Sequence, residues 1–365
     1  MKILVTGGHL MPALSVIDLL TKDKKIEIIF VGRKYNLDSE ESYSLEFQEV
    51  TRRRLKFIPF TAGRLKKEFS FSAIKNFFLI FVGLFYAIKI ILSEKPDRIL
   101  SFGSFLGFPF TFGGWLLKKP VFIHEQTLNP GFANQFGAFF AKKVFVSFPQ
   151  AAKFFPQNKT IISGNPIRKE IFSIQTKPFS IEKNRPVIYV TGGSLGSHSL
   201  NEHLKKILPA LLEKNIVIHQ TGNVKQYDDY ATFVALQKNL PASLKKRYFL
   251  REHIYSDEIG YIYSLADLVI SRSGANIFFE LIALKKPAIL VPLPWSSRQE
   301  QQKQAELFTS LGLGEVFSQF EKSEKLLDLI NKMFSNLKSY QKSFNSLASF
   351  YKQNAAETIV RHILF

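Results

Sequence analysis

The chain has 365 residues, 46% of them hydrophobic and 22% charged, with 49 Lys and Arg against 30 Asp and Glu, a formal net charge of +19. That length exceeds one ordinary core and predicts two domains, and the absence of cysteine excludes disulfides, thiolate catalysis and cysteine-bound zinc. So large a positive excess calls for a partner that is anionic in bulk, either nucleic acid or an anionic membrane surface. No zinc-finger, RNA-recognition or basic-zipper pattern is present, which sets nucleic acid aside.

The chain opens on an apolar strand over 3–5 that runs into Thr6-Gly7-Gly8-His9, without the long apolar core and cleavage site of a signal peptide. Glycines at such a turn let backbone approach a phosphate. His9 projects from that loop with a side chain suited to general-base work near neutral pH, or caps the following helix. Strands are then expected over 28–31, 98–102, 121–124, 144–147 and 160–163, and helices over 12–21, 72–93, 108–117 and 132–140. Basic residues cluster at Arg52, Arg53, Arg54, Lys56, Arg64, Lys66 and Lys67, directly before the aromatic-rich stretch 73–92. A spanning helix wants about 20 apolar residues. Here Lys75, Asn76 and Lys89 leave only 77–88 uninterrupted, so a buried or interfacial helix is expected. Basic residues beside it suit a surface docked on anionic lipid. His124-Glu125-Gln126-Thr127 closes a strand and is followed by Asn129-Pro130-Gly131 and Asn134. A carboxylate flanked by amides at a strand end is a platform for a sugar or a phosphate.

A break falls at Gly164-Asn165-Pro166, and the polar segment 175–186 reads as a linker. A second series follows, with strands over 187–190, 216–220, 248–250, 268–271 and 288–291, and helices over 199–213, 257–265, 275–284 and 299–311. The last stretch, 321–365, is helical and lysine-rich. Thr191-Gly192-Gly193-Ser194-Leu195-Gly196-Ser197 occupies the place in this series that the first glycine turn has in the other. A dinucleotide fingerprint would need G-x-G-x-x-G and an acid about 20 residues later. The spacing here is G-G-S-L-G and the next strand ends on His219-Gln220, so a phosphate loop fits better. His198, Glu202 and His203 share a helix and read as surface residues. After the strand over 268–271, Arg272 and a helix N-terminus at Gly274-Ala275 suit a diphosphate. Glu280, in the second turn of that helix, can accept from two ribose hydroxyls. A Gln-rich helix starting near Glu300-Gln301 can donate to and accept from sugar hydroxyls. The pattern as a whole predicts two doubly wound α/β domains with ligands at the carboxyl ends of the strands, in the cleft between them.

Several of these motifs, in this order, resemble one family: T-G-G-H (6–9), H-E-Q (124–126), P-G-F-A-N (130–134), G-N-P-I-R (164–168), G-G-S-L-G-S (192–197), S-R-S-G-A-N (271–276) and the Gln-rich start at 299–304. The chain is similar over nearly its whole length to the bacterial lipid I N-acetylglucosaminyltransferases of peptidoglycan synthesis. The resemblance implies a GT-B fold, two Rossmann-like domains facing across a cleft. It implies an acceptor-binding, membrane-associating domain over 1–165, a UDP-sugar domain over 166–345, and a closing helix within 346–365 packed back on the first domain. UDP-N-acetylglucosamine would meet Glu280 through its ribose, and Gly193, Ser194, Arg168, Arg272, Gly274 and Ala275 through its diphosphate. Backbone near Ser256 would read uracil, and Gln301, with Glu300 or Gln299, would hold the sugar. His9 and Glu125, with Gly7, Gly8 and Asn134, would face the undecaprenyl-diphosphate-linked muramyl peptide, His9 as base for an inverting attack. No cofactor and no dedicated metal site are expected, and the enzyme would lie peripherally on the cytoplasmic face of the cell membrane.

The chain also departs from the family pattern. Its first turn is T-G-G-H where G-G-G-T-G-G-H is usual, which shortens the diphosphate cradle. Phe105, Thr127, Ile277 and Glu300 stand where Tyr, Asn, Thr, and Gln or His are common. Three other readings share the sequence features: a GT-B transferase with another lipid-linked or soluble acceptor, a UDP-sugar epimerase, and a UDP-sugar-binding membrane protein without turnover.

Overall fold

The computed structural model describes residues 1–36, 39–60, 71–193, 196–223, 226–347 and 352–365, with the side chains of all but 36, 39–42 and 71–80. Ser194 and the basic residues Arg64, Lys66 and Lys67 lie outside the described residues. The chain divides into two compact units, Met1–Arg168 with Lys352–Phe365, and Lys169–Tyr351.

The first unit carries strands β1 (Lys2–Thr6), β2 (Glu27–Gly32), β3 (Tyr35–Asn36), β4 (Ser39–Tyr43), β5 (Lys56–Pro59), β6 (Arg98–Ser101), β7 (Val121–Glu125), β8 (Lys143–Val146) and β9 (Thr160–Ile162). β3 and β4 form a small antiparallel pair, and the other seven form one parallel sheet in the order β5-β2-β1-β6-β7-β8-β9. Runs such as Ile3-Leu4-Val5 are apolar without alternation because both faces of a parallel sheet are covered. The cover comes from α1 (Leu10–Leu20), α2 (Leu45–Arg52), α3 (Phe71–Glu94), α4 (Ser104–Leu116) and α5 (Phe132–Phe140), and from the chain's closing helix Ala355–Leu364. That last helix places Ile359 and Ile363 in the core formed by Ile3, Val16 and Phe145.

Two parts of this unit differ from the sequence pattern. α4 begins at Ser104 rather than at 108 and runs through Pro109. Gly103, at φ 82°, turns the chain straight out of β6, and Gly107 lets the helix lie against it, since a Cβ there would fall 2.2 Å from Ser101 Oγ. α2 and β5 occupy what reads in sequence as part of a basic loop. Within them Arg53 is paired with Asp18 at 2.9 Å and Glu49 at 2.6 Å, and Lys56 with Glu94 at 2.7 Å. These two cations therefore each have an acidic partner within the fold.

The second unit has strands β10 (Val187–Thr191), β11 (Ile216–Gln220), β12 (Tyr248–Arg251), β13 (Leu268–Ser271), β14 (Ala288–Leu290) and β15 (Gly314–Val316), all parallel, in the order β12-β11-β10-β13-β14-β15. Its helices are α6 (His198–Lys214), α7 (Asp229–Asn239), α8 (Ala242–Lys245), α9 (Ile259–Leu265), α10 (Ala275–Ala283), α11 (Glu300–Ser310), α12 (Ser323–Ser335) and α13 (Leu337–Ser343). The lysine-rich tail is amphipathic over α12, which buries Leu326, Ile330 and Met333 on this sheet.

In each sheet the strand order reverses about the first strand, β1 between β2 and β6, β10 between β11 and β13. A doubly wound sheet opens a crevice at such a reversal, beyond the carboxyl ends of the strands. Both glycine turns lie there.

Candidate active-site residues in each unit

In the first unit the residues after β1, β6 and β7 converge. His9 caps α1 from an extended backbone, and Nδ1–H donates to the carbonyl of Phe102 at 2.9 Å. A carbonyl only accepts, so Nδ1 carries the hydrogen and Nε2 presents its lone pair. Burial pushes the His9 pKa below its ordinary value, against the opposing pull of Glu125, the Phe102 carbonyl and Glu46. Glu125, 1% exposed at the end of β7, accepts from the Thr127 amide and hydroxyl at 2.9 and 2.7 Å, and from Asn134 Nδ2 at 2.8 Å. Thr127 thus fixes the carboxylate through both of its donors. Gly103 lies between the two sides of this group: a Cβ there would be 2.8 Å from Asn134 Nδ2 and 3.5 Å from His9 Nδ1. The structure therefore brings together Gly7, Gly8, His9, Glu125 and Asn134. His124 differs from the platform residue its motif suggests. It is fully buried, its Nε2 is 3.1 Å from Ser147 Oγ, and burial followed by the nearby His9 takes its pKa down to about 3. Arg168 is half-buried and is the last residue of this unit.

In the second unit Gly193 follows β10 at φ 85°, and Gly274 caps α10 after β13. A Cβ on either would meet nothing within 4 Å, so open space lies over both turns. Ala275 is the first residue of α10, where unpaired helix amides face outward. Glu280, 4% exposed, accepts from the Tyr263 hydroxyl at 2.9 Å. Tyr263 packs edge-on against Tyr189, whose hydroxyl donates to Gln220 Oε1 at 3.1 Å, and Gln220 in turn donates to the Gly193 carbonyl at 3.2 Å. Ser273 Oγ donates to the Gln301 carbonyl at 2.8 Å, which ties α10 to α11. Gln301 Oε1 accepts from the Leu293 amide at 3.0 Å, and Glu300 accepts from Gln304 at 2.8 Å. Arg298 and Gln299 lead into α11 with φ of 56° each, an αL pair of non-glycine residues that carries strain beside the site. Ser256 lies in the turn between β12 and α9, which Glu258 braces by bonds to Arg251 at 2.6 Å and to the Tyr255 amide at 2.9 Å.

Arg272 is more committed than its motif suggests. Its guanidinium donates to the carbonyls of Val291 and Pro292 and to Ser199 Oγ, and burial lowers its pKa to about 10. It joins β13, β14 and α6, and any diphosphate contact falls to its remaining N–H groups. Asp229 was not legible as part of this region. It accepts from His198 Nδ1–H at 2.7 Å and from Asn201 at 2.8 Å, and Asn201 links on to buried His219 at 3.0 Å. His198 is thus held against the turn after β11 instead of standing free on the surface, and His203 bonds Ser323 and the Gln319 carbonyl.

The fold, two parallel-sheet α/β units each with a glycine turn at its switch point, is the GT-B fold. The chain belongs to glycosyltransferase family 28: the family's N-terminal domain matches residues 5–146 and its C-terminal domain residues 187–359. It is 32% identical over 373 residues, 99% of both chains, to the UDP-N-acetylglucosamine--N-acetylmuramyl-(pentapeptide) pyrophosphoryl-undecaprenol N-acetylglucosamine transferase 2 of Bacillus thuringiensis subsp. konkukian. It is 33% identical over 359 residues, 94% of both chains, to the transferase of that name from Clostridium novyi. The crystal structure of Acinetobacter baumannii MurG shares the fold, with a TM-score of 0.72 at 22% identity over 100% of this chain and 99% of that one.

Proposed function

We propose that this enzyme transfers N-acetylglucosamine from UDP-N-acetylglucosamine to the 4-hydroxyl of undecaprenyl-diphosphate-linked N-acetylmuramyl-pentapeptide, converting lipid I to lipid II with inversion. The observation that carries the reading is similarity along the full chain to transferases of that name, in both family domains. The second unit holds the donor. Glu280 takes the ribose, the Gly193 and Gly274-Ala275 turns take the diphosphate, the turn at Ser256 takes uracil, and Glu300 with the Gln301 –NH2 group takes the sugar. The first unit holds the acceptor. His9 Nε2 receives the proton of the attacking hydroxyl as its oxygen bonds the anomeric carbon, and UDP departs with the electron pair of the broken bond. Glu125 steadies the imidazolium that forms. The turn amides and nearby cations stabilise the leaving diphosphate. Acceptor-dependent release of UDP tests this directly. Release is expected with a lipid I analogue and not with other lipid-linked sugars. Equal release with an unrelated glycolipid, or donor binding without release, would sink the assignment.

The same reading puts the enzyme peripherally on the cytoplasmic face of the membrane. No helix among the described residues is long and apolar enough to cross a bilayer. Support for docking comes from three neighbouring helices, α3 on α4 and α4 on α5. They expose Phe85 and Tyr86 on α3, Trp115 on α4, and Phe132, Phe136 and Phe139 on one face of α5, with Phe85 and Phe139 each 66% exposed. Exposed Lys89, Lys118 and Lys142 accompany them. Aromatic rings with lysines alongside suit the headgroup region of an anionic bilayer. Burying one Phe contributes about 1.5–3 kcal/mol. Phe136→Glu with Phe139→Glu is therefore expected to lower binding to anionic vesicles by at least about tenfold, while turnover of a water-soluble acceptor stays near wild type. Unchanged sedimentation with vesicles would remove this face from membrane docking.

A further inference from the structure

The first glycine turn already contains an anion. Glu46, in the first turn of α2, points its carboxylate between the loop after β1 and the loop after β2. Oε1 accepts from the Gly8 amide at 3.1 Å and Oε2 from the Arg33 amide at 3.0 Å. The approach is possible because both loops lack a Cβ where the carboxylate enters: one on Gly7 would lie 2.7 Å from Oε1, and one on Gly32 2.7 Å from Oε2. Ser44 sets α2 in place, accepting from the Phe47 amide at 3.1 Å and donating to the Arg33 carbonyl. Glu46 is 8% exposed, and two converging backbone amides meet its two oxygens as they would meet those of a phosphate.

The opposite side of the turn is closed as well. A Cβ on Gly8 would lie 2.6 Å from the Gly103 carbonyl oxygen and 2.8 Å from that of Phe102. A diphosphate arriving here would find the amides already bonded, a carboxylate on one side and carbonyl oxygens on the other. Like charges at such distances repel, and the amides cannot serve two anions at once.

Building on the acceptor assignment above, we propose that Glu46 is a positioning residue that takes the place of a bound phosphate in the first glycine turn, fixing the backbone that carries His9 and closing the turn to the acceptor's diphosphate. The shortened T-G-G-H loop is then a clamp for the base rather than a cradle for substrate, and acceptor affinity arises elsewhere in the first unit.

Amide-resolved NMR of the full chain, with the donor unit saturated by UDP and inorganic pyrophosphate as the probe, tests the closure without turnover. In wild type the Gly8 and Arg33 amide resonances are expected to stay in place. In Glu46→Ala, with the carboxylate gone, they are expected to shift saturably. Saturable shifts in wild type would show that pyrophosphate displaces Glu46, and unmoved amides in Glu46→Ala would show that the turn is no anion site; either result overturns the proposal. If Glu46→Ala fails to fold, Glu46→Ser, which also empties the turn, takes its place under the same criteria. Kinetics supplies the positioning arm. A loosened turn is expected to lower kcat by about 10²-fold with acceptor KM unchanged or lower, and Glu46→Asp or Glu46→Gln to recover part of kcat. A lower acceptor KM with kcat retained would mean that Glu46 merely competes with substrate. Absence of acceptor-dependent UDP release in wild type would overturn the lipid I assignment, while the amide titration would still decide whether the turn is closed to anions.

Discussion

Replacement of His9 by alanine is expected to lower acceptor-dependent UDP release by about 10²–10⁴-fold, the usual contribution of a positioned general base. The expectation rests on which nitrogen is available. With Nδ1–H given to the Phe102 carbonyl at 2.9 Å, the ring is oriented from one side and its basic nitrogen is turned outward. His9→Gln keeps a donor for that carbonyl but supplies no base, so it should lose nearly as much activity as alanine. UDP-N-acetylglucosamine affinity should stay the same in both, because the donor's ligands lie in the other unit. The pH profile follows from the direction of the shift. A base works unprotonated, and burial lowers the His9 pKa from 6.5. Activity should therefore hold as pH falls through 6.5 and decline only below it. Glu125→Gln removes one of the charges that favour imidazolium, so the acid limb should move to still lower pH, with a reduced maximum. Wild-type-like turnover in His9→Ala, or an acid limb centred above 6.5, would take His9 out of the base role.

The core of this arrangement is readable from sequence because it depends on local patterns. Apolar runs ending in glycine give β1 and β10, and a strand followed by a turn and a helix puts His9, Gly193 and Gly274 at the carboxyl edges of the sheets. What escapes is whatever depends on a partner far along the chain. Glu46 is 38 residues from the Gly8 amide and 13 from the Arg33 amide that it bonds, and nothing in S-L-E-F announces that two glycine-bearing segments will close around it. β5, four residues ending in proline behind an arginine run, does not read as a strand, and it pairs parallel along the edge of β2. Pro109 argues for a helix start at 108, yet tertiary packing through Gly107 carries α4 back to Ser104. Arg272 shows a second limit. A cation at a strand end suggests a phosphate ligand, but the sequence does not show that its guanidinium also donates to Val291, Pro292 and Ser199 within the unit. Charge in a sequence does not reveal whether the fold has already matched it.

Glu280→Gln should weaken the donor site through the ribose, and the choice of ligand makes this checkable. UDP and UDP-N-acetylglucosamine share the ribose and differ in the sugar, so loss of a ribose contact must weaken both by the same factor. A hydrogen bond to a charged group contributes about 1.5–3 kcal/mol, which corresponds to roughly 10- to 150-fold in Kd. The substitution preserves size in a position that is 4% exposed, so cavity formation adds little. Tyr263 provides a second handle. Its hydroxyl holds Glu280 at 2.9 Å from within the unit, and Tyr263→Phe should give a smaller loss of the same kind by freeing the carboxylate to rotate. Both variants should keep the acceptor KM, since the first unit is untouched. A Glu280→Gln enzyme that binds UDP normally but UDP-N-acetylglucosamine poorly would move Glu280 from ribose to sugar, and one that binds both normally would leave the carboxylate a structural group of the unit.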